Sequence, residues 1–526
     1  MELTPASVDR RSLLKGAAAL GALAACGAVA GNDGLAARTA LADEAAGRIV
    51  VGRATDSDNL DPVTCVGNAN IFVFNLIVEG LVKTSDDGSE ILPCLATDWE
   101  VSEDGTTYTF NVQEGLLFAD GSPVTAEDWQ WTFDRAIEAE DSNWHMCVEN
   151  IDHVECPDDT TVIVVTKEPA ASTMANLCIF TLGVQSKAYF DKVGEQEYQN
   201  GPMGTGPYMV KEWKRGEFLT LAANPNYREE GKPLTAEIEF KVVADDSSRA
   251  LQLQGGDIDI ATDLPFSSLA QLENDDNCVP VPSPSTITRF MALNVANEHL
   301  SDVKVRQALT KATDPQQIVD AVLFGYGTPI GTIFSTTSKY CDTTLTPNVP
   351  DIEGAKALLA EAGCPEGFDL GILIRGGNAL EEQVAMVLMQ QWAQIGVNLV
   401  IDSTEATSYK SRMYGMEFDT LIDYWSDDIQ DPSEFMQFVF DFDSASGFDT
   451  NFEQPAEMVA LNDAANVAAT DEERIGLYAQ MQQEFAKQAI WIPLFSMPFQ
   501  NAVRVGVEGF VQTPLGNYRF DHLVKA

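Results

Sequence analysis

The stretch Tyr424-Trp425-Ser426-Asp427-Asp428-Ile429-Gln430-Asp431-Pro432 gathers three carboxylates and an indole between a predicted strand, 419–424, and a predicted helix. In α/β sheets, ligands bind beyond the carboxyl ends of the strands. A carboxylate held there and facing an ammonium group makes a directional, charge-assisted hydrogen bond. The plainer reading is a solvated acidic turn in which Asp431 caps the next helix, with Trp425 as ordinary core. Arg375 follows a second predicted strand, 370–374. Its guanidinium offers a carboxylate two parallel bonds. The plainer reading there is an exposed arginine at a strand end.

Other chemistries find no support. Gly204-Thr205-Gly206 is followed by no lysine at phosphate-loop spacing, and reads as a turn. The four histidines, His145, His153, His299 and His522, lack metal-ligand spacing, which tells against a metal site. No GxSxG nucleophile motif occurs, and the acids are too numerous for one acid/base couple to stand out. A net charge of −48, from 80 acidic and 32 basic residues, repels nucleic acid. The charge is spread along the chain, as in a solvated acidic surface.

The elements that must position these residues can be read from their punctuation. Asp351 opens a helix to Ala362 that Gly363 stops; the strand 368–374 follows. A helix from about Ala379 ends at Gly396, before the strand 397–402. A helix 406–414 then leads to the strand 419–424. Helix, glycine, strand in repetition marks α/β crossover units. A long helix 471–489 runs into a buried strand, 490–494. Earlier, 49–51 reads as a strand and 70–78 as a helix. Short alternating segments between turns such as Asp104-Gly105 and Asp120-Gly121 dominate 84–166, interrupted by a helix with a capping box at Thr125 and Asp128.

Asp9-Arg10-Arg11 precedes a short, weakly apolar run, the pattern of a twin-arginine export signal. The run ends in Leu23-Ala24-Ala25-Cys26-Gly27, which resembles a lipobox with Cys26 as the acylated residue. Lys15, Asn32 and Asp33 make 12–38 too weak to span a membrane. Beyond Cys26, eight cysteines without a CxxC pair permit disulfides outside the cell and argue against a redox or zinc site.

Several segments, in this order and spacing, carry a family resemblance. They are Asn59-Leu60-Asp61-Pro62, Glu79-Gly80-Leu81-Val82, the run from Trp99 to Phe110 and that from Phe118 to Asp128. Gly204-Thr205-Gly206-Pro207-Tyr208, Val305-Arg306-Gln307-Ala308-Leu309 before Asp314-Pro315, Ala355-Lys356 to Ala362-Gly363, and Ile395-Gly396-Val397 complete the set. The chain resembles, from Asn59 to Phe520, the large extracellular solute-binding proteins of ABC importers for dipeptides, oligopeptides and nickel.

The resemblance implies a two-lobe α/β fold with a mainly-β subdomain inserted in the first lobe, ligand held between the lobes, and no catalysis. The divisions expected are a signal peptide over 1–25, the lipidated Cys26 with a flexible tether over 26–47, and lobe I over 48–288. The insert lies at about 84–202, lobe II over 289–493, and 494–526 return to lobe I. In the peptide-binding members, a carboxylate three residues after a tryptophan holds the peptide's α-ammonium. Those positions are Trp425 and Asp428 here, with Asp427 the nearest alternative. Counted back from Trp392-Ala393-Gln394-Ile395-Gly396-Val397, Arg375 falls where dipeptide-binding members carry the arginine for the ligand carboxylate. Gly67 and Asn68 lie on the loop that passes ligand backbone. The partners implied are a peptide or other small ligand, permease subunits, and the membrane through a lipid anchor. The chain is expected to act as a monomer on the outer face of the cell membrane, without cofactor or metal. A nickel chelate, haem or a glycoside as ligand, or a secreted hydrolase, stand as alternatives.

Overall fold

The computed structural model describes residues 47–440 and 450–526. The export signal, Cys26 and the tether lie outside the described residues. Three large sheets organise the chain. The first has seven strands in the order Cys278–Pro280, Ala502–Arg504, Ile260–Ala261, Arg48–Arg53, Glu237–Val242, Phe218–Ala223 and Tyr208–Lys214. Arg48–Arg53 is parallel to both its neighbours. The second has six, in the order Thr328–Pro329, Trp491–Ser496, Thr288–Leu293, Thr420–Trp425, Asp369–Arg375 and Asn398–Thr404. A four-stranded antiparallel sheet, Ala96–Val101, Thr107–Val112, Thr161–Thr166 and Ile151–Asp158, forms the β-rich subdomain inserted in the first lobe. The fold is therefore two α/β lobes with an extra subdomain.

The chain passes between the lobes twice, and the two passages are hydrogen-bonded to each other. Ser283 N–H donates to Phe499 O at 3.1 Å, and Phe499 N–H to Ser283 O at 2.9 Å. Val281 N–H reaches Asn501 O at 2.8 Å. A pair of short strands is a natural hinge, because a small twist in each absorbs a lobe rotation without breaking either core.

Lobe II carries out the alternation written in its sequence. Asp351 accepts Gly354 N–H at 2.8 Å and starts the helix Ile352–Glu361. The helix Ala379–Ala393 follows the strand Asp369–Arg375, and the strands Asn398–Thr404 and Thr420–Trp425 both run parallel to that strand. A side chain on Gly367 would place its Cβ 1.9 Å from Gly396 O. Glycine there lets the starts of two neighbouring strands approach. Helices cover both faces of this sheet, giving two apolar layers, one around Trp392 and Leu388, the other around Tyr409, Tyr478 and Trp491. The carboxyl ends of its strands form one half-buried crest. Arg375 pairs with Thr404 at the carboxyl end of that parallel pair, and Trp425 ends the next strand.

One element departs from expectation. The predicted helix 70–78 is a single turn, Asn68–Ile71, and a 3₁₀ turn, Phe74–Leu76. Tertiary bonds hold the segment: Gly206 N–H donates to the backbone Ile77 O at 2.9 Å, and the Asn70 side-chain Nδ2–H donates to Val66 O and Asp58 Oδ1. The residues from Val73 to Val78 are buried apart from Asn75, so no polar face existed to specify an amphipathic helix. The eight cysteines of the described residues are free thiols. No helix among the described residues is long and apolar enough to cross a membrane.

Candidate functional site

Four acids within eight residues follow the strand Thr420–Trp425, and they have different fates. Asp431 is spoken for. It accepts Ser433 N–H at 2.9 Å at the start of the helix Ser433–Phe440, and pairs with both terminal nitrogens of Arg474, one at 2.7 Å. The other three, Asp427, Asp428 and Glu434, have no lysine, arginine or histidine within ion-pair distance among the described residues. Asp431-Pro432-Ser433-Glu434 has the form of a capping box with proline at the first helical position. Glu434 reaches back accordingly, accepting Asp428 N–H at 2.9 Å and Ile429 N–H at 3.2 Å. It was not singled out from the sequence, although that pattern was its signal. Nor was Arg474, which lies 43 residues from its partner.

Trp425 both packs and positions. Its ring lies 5.1 Å from those of Phe435 and Phe438, and its Nε1–H donates to Asp427 Oδ1 at 2.5 Å. Asp427 N–H in turn donates to the hydroxyl of Thr286, on the first passage between the lobes, at 2.9 Å. The acid turn is thereby tied directly to the hinge. Its tip enters lobe I: Ile429 belongs to that lobe's apolar core, and Gln430 packs on Gly88. Asp428 is near enough to lobe I to add to the rise of two of its thiols, after burial and Asp61 at Cys65 and after burial and Glu434 at Cys147. Cys65 begins the loop to Gly67 and Asn68, both exposed. Gly67 has φ +88° and open space where a Cβ would stand. Asp428 and this loop therefore approach each other from opposite lobes.

Burial pushes the carboxyls of Asp427 and Asp428 up to about 7. For Asp427 the indole bond opposes the shift and the Asp428 charge adds to it. Glu434, 4% exposed, is driven well above the usual range by burial and then by the charges of Asp428 and Asp427. Burial and mutual crowding without a nearby cation favour the protonated forms of all three. The sign for stability follows. These groups bind protons more tightly folded than unfolded, where aspartate titrates near 3.8. Their contribution is full at low pH and is lost as pH rises towards and through about 7. The Tm difference between wild type and Asp427→Asn/Asp428→Asn is therefore expected to move in favour of the variant from pH 5 to pH 8. A pH-independent difference would show that the carboxyls titrate normally.

Arg375 stands at the crest with its charge already matched. Its terminal nitrogens bond Asp423, at 2.7 Å, and Glu381, whose Oε2 also accepts Arg375 N–H at 2.9 Å. The guanidinium lies 4.2 Å from the centre of the Tyr409 ring. Burial opposes its charge, but Asp423, Tyr409 and Glu381 outweigh burial and raise its pKa. Arg289 shares Glu381 at 3.4 Å and lies over Tyr424. Two arginines and two carboxylates make a neutral network, beside an acid turn with no neutralising cation. The sequence separations, 48 residues for Arg375 and Asp423 and 92 for Arg289 and Glu381, hid these partners.

Comparison with known proteins bears on the family and the fold. Residues 90–447, well over half of the chain, match the family model for bacterial extracellular solute-binding proteins, family 5 (middle). Heme-binding protein A of Haemophilus influenzae is 28% identical over 503 residues, covering 88% of this chain and 92% of that protein. The probable D,D-dipeptide-binding periplasmic protein DdpA of Escherichia coli is 28% identical over 479 residues, with 89% and 92% covered. The periplasmic binding protein DppA of Helicobacter pylori, solved with the peptide STSA, superposes with a TM-score of 0.79 at 25% identity, covering 91% of this chain and 98% of that one. These are binding proteins, not enzymes. The chain belongs to family 5 of the bacterial extracellular solute-binding proteins, the ligand-capturing components of ABC importers.

Proposed function

We propose that this protein captures peptides, holds the peptide's α-ammonium at Asp428, and delivers the peptide to a membrane permease. The observation that carries the reading is the acid turn itself. Asp428 lies at the carboxyl end of a lobe II strand, faces the Cys65–Asn68 loop of lobe I, and has no cation of its own. An ammonium group supplies the missing charge and bridges the lobes, so binding and closure become one event. Gly67 and Asn68 offer open backbone for the ligand chain, and Trp425 holds Asp427 to one side. Arg375 is the partner for a ligand carboxylate, but it takes one only by giving up Asp423 or Glu381. The ammonium end therefore contributes more than the carboxylate end.

The test is capture from a mixture. The tag-free chain is incubated with a pooled library of di- to hexapeptides, and bound species are identified by native mass spectrometry. Intact peptides that leave on denaturation support the reading. Cleaved peptides would indicate a hydrolase, and retention of added haem or a nickel chelate in place of peptide would move the ligand class.

The export and anchoring signals extend the proposal: the twin arginines, Arg10 and Arg11, direct export, and acylated Cys26 fixes the protein to the outer face of the membrane. Cys26→Ser is expected to move the protein from the membrane fraction to the soluble fraction, or to leave it unprocessed, because the acyl chains are the anchor. A processed variant still sedimenting with membranes at wild-type level would contradict the lipobox.

A further inference from the structure

One of the free thiols has an imidazole beside it. Cys364 Sγ lies 3.8 Å from Nδ1 of His299, with Ala362 O at 3.9 Å as a second polar neighbour. The other ring nitrogen, Nε2, stands 3.7 Å from Glu298 Oε1. A nucleophile within reach of a base, with the base in turn next to a third group, is the arrangement that activates a thiol.

The end of a helix aims the sulfur. Gly363, at φ +83°, turns the chain out of the helix Ile352–Glu361. Its N–H reaches Ala360 O at 3.1 Å, and Cys364 N–H reaches Leu359 O at 2.8 Å. Those two bonds make a Schellman ending and fix the Cys364 backbone. The imidazole is held as firmly. His299 N–H donates to Asn297 Oδ1 at 2.9 Å, and the ring stacks on Phe368 with centroids 4.1 Å apart and planes 17° apart. Asn297 in turn donates to Asp419 Oδ1 at 2.8 Å. Phe368 and Asp419 stand just before the strands Asp369–Arg375 and Thr420–Trp425, whose far ends carry the crest. At ~3.3 Å per residue, the strand Asp369–Arg375 puts about 20 Å between this pair and Arg375. The pair is therefore separate from the acid turn, and nothing about it rests on the peptide reading.

Access sets Cys364 apart. Burial pushes up each of the other seven described thiols, Cys156, Cys178 and Cys341 included although they are only half-buried. Such thiols are poor nucleophiles. Cys364 is half-buried with a base in contact, and the His299 side chain is 29% exposed. The carbonyl end of a helix disfavours a thiolate, so activation falls to the imidazole.

We propose that Cys364 and His299 form a thiol-modification site that takes up a low-molecular-mass disulfide. His299 Nδ1 accepts the Sγ proton, and the thiolate attacks one sulfur of the disulfide. A new S–S bond joins that sulfur to Cys364 as the old S–S bond breaks. The departing thiolate takes the proton from the imidazole and leaves as a free thiol. Cys364 is oxidised, the departing sulfur is reduced, and no further reactant is needed. Glu298 favours the transient imidazolium, and a second thiol reverses the step.

The test exposes the folded chain to bis(2-hydroxyethyl) disulfide, a neutral probe that the acidic surface does not repel. The modified residue is read by mass spectrometry of its peptides. Cys364 is expected to react first, at least about tenfold faster than any other cysteine. His299→Gln keeps a planar side chain against Phe368 but supplies no base, and is expected to slow Cys364 at least about tenfold at pH 7. Near pH 9 a thiol ionises unaided, so wild type and variant are expected to react within about threefold of each other. Matching melting curves check that the variant is folded. Another cysteine modified first in wild type, or equal rates for the two proteins at pH 7, overturns the inference. A variant slowed equally at pH 7 and pH 9 would report lost access and not a lost base, and overturns the role of His299.

Discussion

Asp428→Asn is expected to weaken binding of a free peptide by at least about 30-fold, in line with the roughly 2–5 kcal/mol lost when one partner of a buried charge pair is removed. The variant keeps the shape of the side chain and the N–H bond to Glu434, so the loss reports charge and not folding. Asp427→Asn is the control. Its carboxylate is already engaged by the Trp425 indole, and its backbone is held by Thr286. A change there is expected to stay within about threefold, the scale of a contact at the edge of an interface. Arg375→Ala falls between the two. It removes a ligand partner but also leaves Asp423 and Glu381 short of a cation, so its binding loss comes with a loss of stability. Calorimetry on the three variants settles the order. Equal effects at Asp427 and Asp428 would mean that the turn acts only as a diffuse negative field.

Arg474→Met carries the second large effect, on stability. Arg474 is 1% exposed and bonds Asp431 through both terminal nitrogens, Ala465 O through Nε at 3.0 Å, and Tyr340 Oη at 3.0 Å. Removing it strands a buried carboxylate, at a cost of about 3–5 kcal/mol. The same bond fixes the start of the helix Ser433–Phe440, and through Glu434 it holds the backbone of Asp428. Thermal melting of lobe II is therefore expected to shift down by several degrees, and peptide affinity to fall with it. The double variant Arg474→Met/Asp431→Leu, which removes both charges, is expected to recover much of the stability, because a buried pair is dear to break and cheap to replace. Failure of the double variant to recover would place the cost in packing and not in charge.

How far the sequence carried depended on whether the information was local. Asp351, Gly363 and Gly396 punctuate lobe II, and the elements between them lie where those residues put them. The capping box at Thr125 and Asp128 is present at the start of the helix Ala126–Glu138. Residues 70–78 failed because their backbone is claimed by Gly206, well over a hundred residues away. The site divides in the same way. The acid turn was legible because a strand, an indole and a run of carboxylates are neighbours in sequence. Asp431 could be set apart locally as the cap before Pro432, but nothing local shows that it has an arginine and that Asp428 has none. The pairing of Arg375 with Asp423, 48 residues away, was likewise a property of the folded crest.

The most direct test of the central claim compares one peptide in two forms. Pentaalanine with a free amine and N-acetyl-pentaalanine are titrated into wild-type protein at pH 8, where the carboxyls of Asp427 and Asp428 are ready to ionise. The account predicts that acetylation weakens binding by at least about 30-fold, and that amidation of the C-terminus costs much less. Equal affinity for the free and acetylated peptides would contradict capture of the ammonium group at Asp428.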